Sequence, residues 1–261
     1  MKKEIAIKIR DLTVAYHLKP VLWDIDLDIY QSSLTAILGP NGAGKSTLIK
    51  TILELIPKVS GEVLFYNQKY GQVRKKISYV PQRNSVDWDF PTTVFDVVLM
   101  GRYGHLGWFK KPTAKDKEIV MQSLEKTGMQ DLKDRQISEL SGGQQQRIFL
   151  ARALAQQGDI YFMDEPFQGV DIQTEKKIIQ VLKDLQKENK TIIVVHHDLE
   201  TVTQYFDHVV LVNVKKIASG TKDEVFNQTN LTKTFQNKQL KKDIHNLQPP
   251  PKQLNKKNQN K

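Results

Sequence analysis

The sequence contains no cysteine among its 261 residues. This absence excludes a disulfide-stabilised scaffold, a metal site built on thiolates and a catalytic thiol, and it is compatible with a reducing compartment such as the cytosol. Long hydrophobic runs are also missing, because no stretch reaches the roughly 18 consecutive apolar residues of a membrane-spanning helix. The two lysines near the N-terminus precede no apolar run typical of a secretory leader. We therefore expect a soluble protein.

Acidic residues are scarce relative to basic ones, with 29 Asp and Glu against 39 Lys and Arg and a formal net charge of +10. Such an excess is typical of nucleic-acid-binding proteins. However, seven lysines and the single acid Asp243 lie in segment 238–261, which is also rich in Gln, Asn and Pro. This composition predicts a basic, disordered tail, and no nucleic-acid partner is expected.

Segments near the N-terminus predict the beginning of an α/β fold. Apolar residues alternate with others in segments 5–9 and 23–29, a pattern typical of half-buried antiparallel strands. Segment 34–38 is apolar on both faces and is followed by a glycine-rich turn and a predicted helix over 45–56. A buried strand, a glycine turn and a helix in this order open a parallel α/β core.

The rest of the chain continues this pattern around an inserted region. Buried strands are predicted over 160–163 and 191–195, with a helix over 175–188 between them. Residues 83–157 combine helical periodicity with Gly and Pro interruptions, which predicts an inserted helical subdomain. The predicted closing elements are a strand and turn over 209–220 and a helix over 222–226.

A phosphate-binding motif, G-x-x-x-x-G-K-[ST], lies between the predicted strand and helix, which is the context that this motif requires. Its glycines let the backbone approach phosphate oxygens, its lysine reaches the β- and γ-phosphates, and its serine hydroxyl ligates Mg²⁺. The motif predicts that ATP and Mg²⁺ are bound by Gly39, Pro40, Asn41, Gly42, Ala43, Gly44, Lys45, Ser46 and Thr47.

Two acids, Asp164 and Glu165, follow the buried strand at its carboxyl end, where ligands bind in open α/β sheets. We expect Asp164 to hold Mg²⁺ and Glu165 to act as the general base on the attacking water. Two loop acids alone would mean little. Beside a phosphate loop, they indicate hydrolysis.

A second phosphate-facing element is predicted where a Ser-Gly-Gly-Gln run precedes a strong helical pattern. A hydroxyl, free amides and a helix N-terminus together favour an anion. Taken alone, the run is better interpreted as an ordinary helix N-cap followed by a glycine turn. The residues concerned are Ser141, Gly142, Gly143 and Gln144.

Along the chain, the phosphate loop comes first, the Ser-Gly-Gly-Gln run second and the Asp-Glu pair third, and in this order the three motifs resemble the nucleotide-binding domain of ABC transporters. The resemblance covers about residues 4–230, and we expect one domain over 4–237. It implies an α/β fold: a P-loop NTPase (RecA-like) core with an N-terminal antiparallel β subdomain and an inserted helical subdomain. It also implies a homodimer in which each ATP lies between the phosphate loop of one chain and residues 141–144, the signature residues of the family, of the second copy.

The resemblance assigns further residues by motif position. Tyr16 matches the aromatic that stacks on adenine, although a partly exposed strand tyrosine is unremarkable. Gln82 matches the glutamine that contacts Mg²⁺ and the attacking water, and Asp171 matches an aspartate at the dimer interface, although the usual Ser-Ala-Leu before it is absent. His197 matches the switch histidine at the γ-phosphate. The alternative, a metal site at His196 and His197, is disfavoured because neighbouring residues of an extended segment point in opposite directions.

Several stretches also resemble ATPases that serve bacterial importers of manganese and zinc; they are segments 86–91, 96–109, 165–171, 195–199 and 205–208. This implies transmembrane permease subunits as partners, an extracytoplasmic metal-binding protein as an indirect partner, and a location on the cytoplasmic face of the membrane. Manganese is expected first, with zinc or iron as alternatives. Six aromatic residues beside Gln82 form either subdomain core or a docking groove: Trp88, Phe90, Phe95, Tyr103, Trp108 and Phe109.

Two other functional classes are weighed against transport. A soluble ABC-type ATPase acting on nucleic acid would usually carry a long coiled coil or two cassettes in one chain, and neither pattern is present. A non-catalytic nucleotide sensor is disfavoured because each expected catalytic position is filled. The sequence therefore predicts a transport ATPase.

Overall fold

A computed structural model describes residues 4–17, 19–106 and 110–235. The predicted tail over 238–261, together with Trp108 and Phe109 of the aromatic group, lies outside the described residues. Nine strands are present in these ranges, and in chain order they are β1 (Ile5–Tyr16), β2 (Lys19–Tyr30), β3 (Leu34–Leu38), β4 (Ser60–Phe65), β5 (Ile77–Val80), β6 (Ile160–Asp164), β7 (Thr191–Val195), β8 (His208–Asn213) and β9 (Lys215–Thr221).

The described helices are placed between and after these strands. They are α1 (Lys45–Ile52), α2 (Tyr70–Val73), α3 (Val94–Leu99), α4 (Ala114–Lys126), α5 (Gly142–Ala155), α6 (Ile172–Lys187), α7 (Leu199–Tyr205), α8 (Lys222–Val225) and α9 (Gln228–Phe235). None of the helices in these ranges combines the length and the apolar composition that crossing a bilayer requires. Helices α3, α4 and α5 occupy the predicted helical subdomain, whose boundaries at 83 and 157 stay a prediction.

The strands form two sheets. The antiparallel sheet has the order β2-β1-β4, and the larger sheet has the order β5-β6-β7-β3-β8-β9, parallel except for β9. An α/β fold with an N-terminal antiparallel sheet is therefore confirmed. The central strands are buried on both faces, so their successive residues belong to two separate hydrophobic layers. Ile192 lies in the layer with α5 and α6, while its neighbour Ile193 lies in the layer with α1 and the antiparallel sheet.

The structure corrects two helix boundaries. The predicted helix over 45–56 ends at Ile52, because Glu54 takes a left-handed conformation (φ 55°) and the N–H of Leu55 bonds back to Lys50 O. The predicted helix over 175–188 begins earlier, at Ile172, because Asp171 caps it. Strands β4 and β5 were not predicted; each is short, and neither has a clean alternating pattern.

Candidate active site

The phosphate loop joins the end of β3 to the start of α1, as the sequence predicts. Gly42 (φ 79°) and Gly44 (φ 94°) take left-handed conformations, and a Cβ added at Gly44 would come within 2.6 Å of the Leu22 side chain. A side chain at Gly39 would collide with the backbone oxygen of Val212. Gly42 is therefore required for conformation, Gly39 for space and Gly44 for both.

Lys45 is almost completely buried within this loop. Its Nζ donates to the loop carbonyl oxygens of Gly39 (2.9 Å) and Pro40 (3.1 Å). Burial lowers the pKa of Lys45, and the nearby carboxylates of Glu165 and Asp164 oppose that effect. A desolvated ammonium group held by the loop that surrounds it is well placed to bind phosphate oxygens.

Ser46 and Asp164 lie together, although 118 positions separate them along the chain. The Ser46 hydroxyl donates to Asp164 Oδ1 at 2.8 Å, and Asp164 is fully buried. Oδ2 of Asp164 has no hydrogen-bond partner in the described part of the chain, and burial raises the pKa of this carboxyl group. A hydroxyl and an unpartnered buried carboxylate oxygen are the hard oxygen ligands that suit Mg²⁺.

The next residue, Glu165, has the left-handed backbone conformation (φ 54°) that is uncommon for a residue with a side chain. Its Oε2 accepts a 3.0 Å hydrogen bond from Nε2 of Gln82, which follows the neighbouring strand β5. The same Gln82 Nε2 donates to Oε1 of Gln168 at 3.3 Å. The structure therefore brings the predicted base and the predicted glutamine into direct contact.

The two histidines after β7 occupy different environments. His196 is buried, its Nε2 lies 2.8 Å from Oγ1 of Thr201, and its ring packs edge-on against Phe167 with 5.3 Å between centroids. Burial lowers the pKa of His196 to about 4. His197 is exposed, next to the carboxyl edge of the sheet. No cluster of three or more His, Cys, Asp or Glu that could hold a metal ion occurs in residues 4–17, 19–106 and 110–235.

Tyr16 lies at the end of β1 and is 48% exposed. Val14 pairs with Leu22 across the hairpin, and the Leu22 side chain lies against Gly44 of the phosphate loop. The hairpin end that carries Tyr16 is therefore beside the phosphate loop. This placement supports the expected role against adenine, which stays a prediction.

The signature residues form a separate group at the start of α5. Ser141 is the N-cap of this helix and forms a capping box with Gln144, whose Oε1 accepts from the Ser141 N–H at 2.8 Å. A Cβ added at Gly143 would lie 3.4 Å from the Thr174 side chain, and Thr174 is held by the capping residue Asp171. Within the described ranges, no hydrogen bond joins residues 141–144 to the loop at 39–47.

The hydrogen bonds from Thr174 lower the pKa of Asp171, so this carboxylate is stabilised as the anion at the start of α6. The chain thus presents two surfaces. One holds Lys45, Ser46 and Asp164, whose groups could bind phosphate and Mg²⁺. The other holds the exposed residues Ser141, at the start of α5, and Asp171, at the start of α6.

Known proteins with similar sequences and structures identify the family of this chain. The family model described as ABC transporter matches residues 22–168, more than half of the chain. The chain belongs to the ABC transporter family. Among curated ABC relatives, the manganese transport system ATP-binding protein MntB of Bacillus subtilis is 56% identical over 229 residues, covering 88% of this chain and 92% of the relative.

The zinc transport system ATP-binding protein TroB of Treponema pallidum is 55% identical over 230 residues, covering 88% of this chain and 86% of the relative. Among solved structures, the dimeric structure of MJ0796, a bacterial ABC transporter cassette, has a TM-score of 0.73 and 27% identity, covering 82% of this chain and 98% of that one. The chain is thus an ABC ATPase with the P-loop NTPase core that the sequence predicts, and ATP is its nucleotide.

Sequence reasoning missed several residues of this ABC ATPase. Gln168 bonds to Gln82, Gln146 bonds to the backbone of Glu165, and Arg83, the residue after Gln82, bonds to Gln145. The run of three glutamines at 144–146 was a signal, because consecutive polar residues in a strongly apolar helix must find partners when they are buried.

Proposed function

We propose that this chain is the ATP-hydrolysing subunit of a membrane importer for a divalent transition metal, with manganese as the first candidate and zinc as the second. One observation carries the proposal: the chain is 55–56% identical, over 88% of its length, to ATP-binding proteins of a zinc and a manganese transport system. The cargo ion does not need to touch this chain, so its own histidines carry no information on selectivity.

The proposed chemistry starts with the phosphate groups of ATP. Lys45 and the amides of the glycine-rich loop bind the β- and γ-phosphates, and Tyr16 stacks on adenine. Ser46 and Asp164, with Gln82, would hold Mg²⁺, which would neutralise negative charge on the phosphate oxygens. The unpartnered Asp164 oxygen supports this assignment.

Glu165 is the proposed general base. Its carboxylate accepts a proton from the attacking water, whose oxygen forms the new bond to the γ-phosphorus while the bond to the β–γ bridging oxygen breaks. Gln82 donates to this carboxylate at 3.0 Å and so fixes its orientation. His197, two residues after the end of β7, is the proposed contact to the γ-phosphate.

The signature residues serve the second ATP site of a homodimer. Ser141, Gly142, Gly143 and Gln144 form the N-terminus of α5 and have no hydrogen bond to residues 39–47 in the described ranges. Asp171 is near them, because its carboxylate accepts from Thr174, which lies against Gly143. A second copy that supplies its phosphate loop to this surface would complete the site. Permease subunits, an extracytoplasmic metal-binding protein and a position on the cytoplasmic membrane face follow from a role in import.

Cellular metal content tests this function. A strain that lacks the protein would be compared with the same strain carrying wild type or Glu165→Gln, and manganese and zinc would be measured by elemental analysis. We expect a manganese deficit that only wild type corrects. A deficit in zinc alone would assign zinc as the cargo, and unchanged levels of both metals would contradict the proposal.

A further inference from the structure

Three consecutive glutamines follow Gly142 and Gly143 at the start of helix α5, and each has a different partner. Gln144 completes the capping box with Ser141. Gln145 and Gln146 are buried, with 5% and 2% of their surfaces exposed. A buried amide is costly unless it is hydrogen-bonded, so the partners of these two residues show what the start of this helix holds in place.

Gln145 holds Arg83, the residue that directly follows Gln82. Arg83 Nε donates to Gln145 Oε1 at 2.8 Å, while Gln145 Nε2 lies 3.4 Å from the carbonyl oxygen of Ile137. The Arg83 guanidinium group lies over Gly142, where an added Cβ would come within 3.0 Å of Cζ. Arg83 therefore connects the loop of Gln82 to the signature motif of the same chain.

The backbone of Arg83 is tied to the same helix. Its carbonyl oxygen accepts a 3.0 Å hydrogen bond from Nε1 of Trp88, and the Trp88 ring packs edge-on against Phe149 of α5 with 4.9 Å between centroids. Side chain and main chain are thus fixed independently. The residue next to Gln82 cannot shift relative to α5 without breaking one of these contacts.

Gln146 reaches the second active-site loop. Its Nε2 lies 3.4 Å from the backbone oxygen of Glu165, and the same oxygen accepts from the N–H of Gln168 at 3.2 Å. Since Glu165 has a left-handed backbone, this loop depends on contacts from outside to keep its conformation. The first turn of α5 therefore contacts both loops whose side chains meet at the Gln82–Glu165 hydrogen bond.

We propose that Arg83 is a positioning residue that acts through Gln145: the pair fixes Gln82 against helix α5 and so keeps the Gln82 amide on the Glu165 carboxylate. This inference rests on the proposed role of Glu165 in hydrolysis. Arg83 has no hydrogen bond to residues 39–47 or Tyr16 in the described part of the chain. Its loss should therefore slow the chemical step and leave ATP binding unchanged.

A double-mutant cycle tests the pair. The rate of ATP hydrolysis by the full chain would be measured with Mg²⁺ for wild type, Arg83→Ala, Gln145→Ala and the double variant. We expect each single change to lower kcat about tenfold with KM for ATP within about twofold, since small misplacement of a catalytic group is costly. The double variant should be no slower than either single one, because both changes break the same link.

Matched variants separate positioning from folding. Arg74→Ala removes an exposed arginine and should leave kcat and KM unchanged. Arg83→Lys keeps a cationic donor for Gln145 Oε1 and should recover part of the kcat that Arg83→Ala loses, which also decides the matter if Gln145→Ala fails to fold. Wild-type kcat in Arg83→Ala, multiplicative losses in the double variant, or a loss in Arg83→Lys larger than in Arg83→Ala would overturn the inference. Absence of ATP hydrolysis by wild type, or full activity of Glu165→Gln, would instead contradict the proposed function.

Discussion

Oγ of Ser46 lies 2.8 Å from Oδ1 of Asp164, and this hydrogen bond joins the first turn of α1 to the end of β6. The other carboxylate oxygen is buried and has no hydrogen-bond partner in the described ranges. Burial raises the pKa of Asp164 despite the hydrogen bond from Ser46 and the positive charges of Lys50 and Lys45. The folded chain therefore keeps a destabilised anion at a position that suits a cation.

Asp164→Asn should make the protein more stable and inactive. Because the folded-state pKa is raised, the ionised carboxylate costs stability at every pH above that value, and a neutral amide of the same shape removes the cost. In EDTA without nucleotide at pH 7.5, we expect Tm to rise by about 3 °C, the shift that about 1 kcal/mol gives in a domain of this size. The gain should shrink as the pH falls toward 4. Asp131→Asn, at an exposed acid, is the control; a lower Tm for Asp164→Asn would contradict this account.

Glu165→Gln should stop hydrolysis and leave ATP binding intact. The amide keeps the size of the side chain but cannot accept the proton, so kcat should fall at least about 100-fold. With ATP and Mg²⁺, this variant should elute as a dimer in size-exclusion chromatography with light scattering, because the phosphate contacts remain. Glu62→Gln, on an exposed strand position, should behave as wild type. A monomer that hydrolyses ATP at the wild-type rate would show that another group is the base.

Tyr16 should contribute to ATP affinity through its ring and not through its hydroxyl. Stacking of an aromatic ring on a base is worth about 1–3 kcal/mol, so Tyr16→Ala should raise KM for ATP about tenfold. Tyr16→Phe keeps the ring and should change KM less than twofold. Equal KM values for Tyr16→Ala and wild type, measured under the same conditions, would place the adenine elsewhere.

His196 should make the fold sensitive to mild acid. Its pKa is lowered to about 4 by burial, so the unfolded chain takes up the proton first and stability is lost as the pH falls from about 6.5 toward 4. The full effect is about 3 kcal/mol. His196→Phe keeps an aromatic ring against Phe167 and should give a flatter dependence of the urea midpoint on pH between 7.5 and 5.0. If the urea midpoints of wild type and His196→Phe change with pH in parallel, His196 is not the cause of the sensitivity to acid.

Local patterns were enough to predict the phosphate loop and the acids of β6. The loop is a contiguous motif whose glycines, lysine and serine act within a few residues of each other, so its chemistry is visible in the sequence. Asp164 and Glu165 were predictable for a similar reason. Residues at the end of a buried parallel strand lie at the carboxyl edge of the sheet, where ligands bind.

Long-range contacts were not predictable in the same way. Arg83 and Gln145 are 62 positions apart, and their hydrogen bond exists only because β5 lies next to β6 and α5 packs across them. Nothing in the local pattern around Arg83 distinguishes it from a solvated arginine. Strand β5 itself has only four residues, too few for periodicity to separate it from a loop.

The order of the large sheet sets the spacing of the strands that the candidate site residues follow. Gln82, Glu165 and His197 follow β5, β6 and β7, three adjacent strands about 4.8 Å apart, with the phosphate loop after the next one. Yet everything between Val80 and Ile160 is inserted between two neighbouring strands. This insertion contains Gln82 and helix α5, so two constraints of different origin meet in it: backbone hydrogen bonds of the sheet set the strand spacing, and the first turn of α5 holds the loops that follow β5 and β6. Segments of the insertion that make neither contact can change in length or surface without moving the strands.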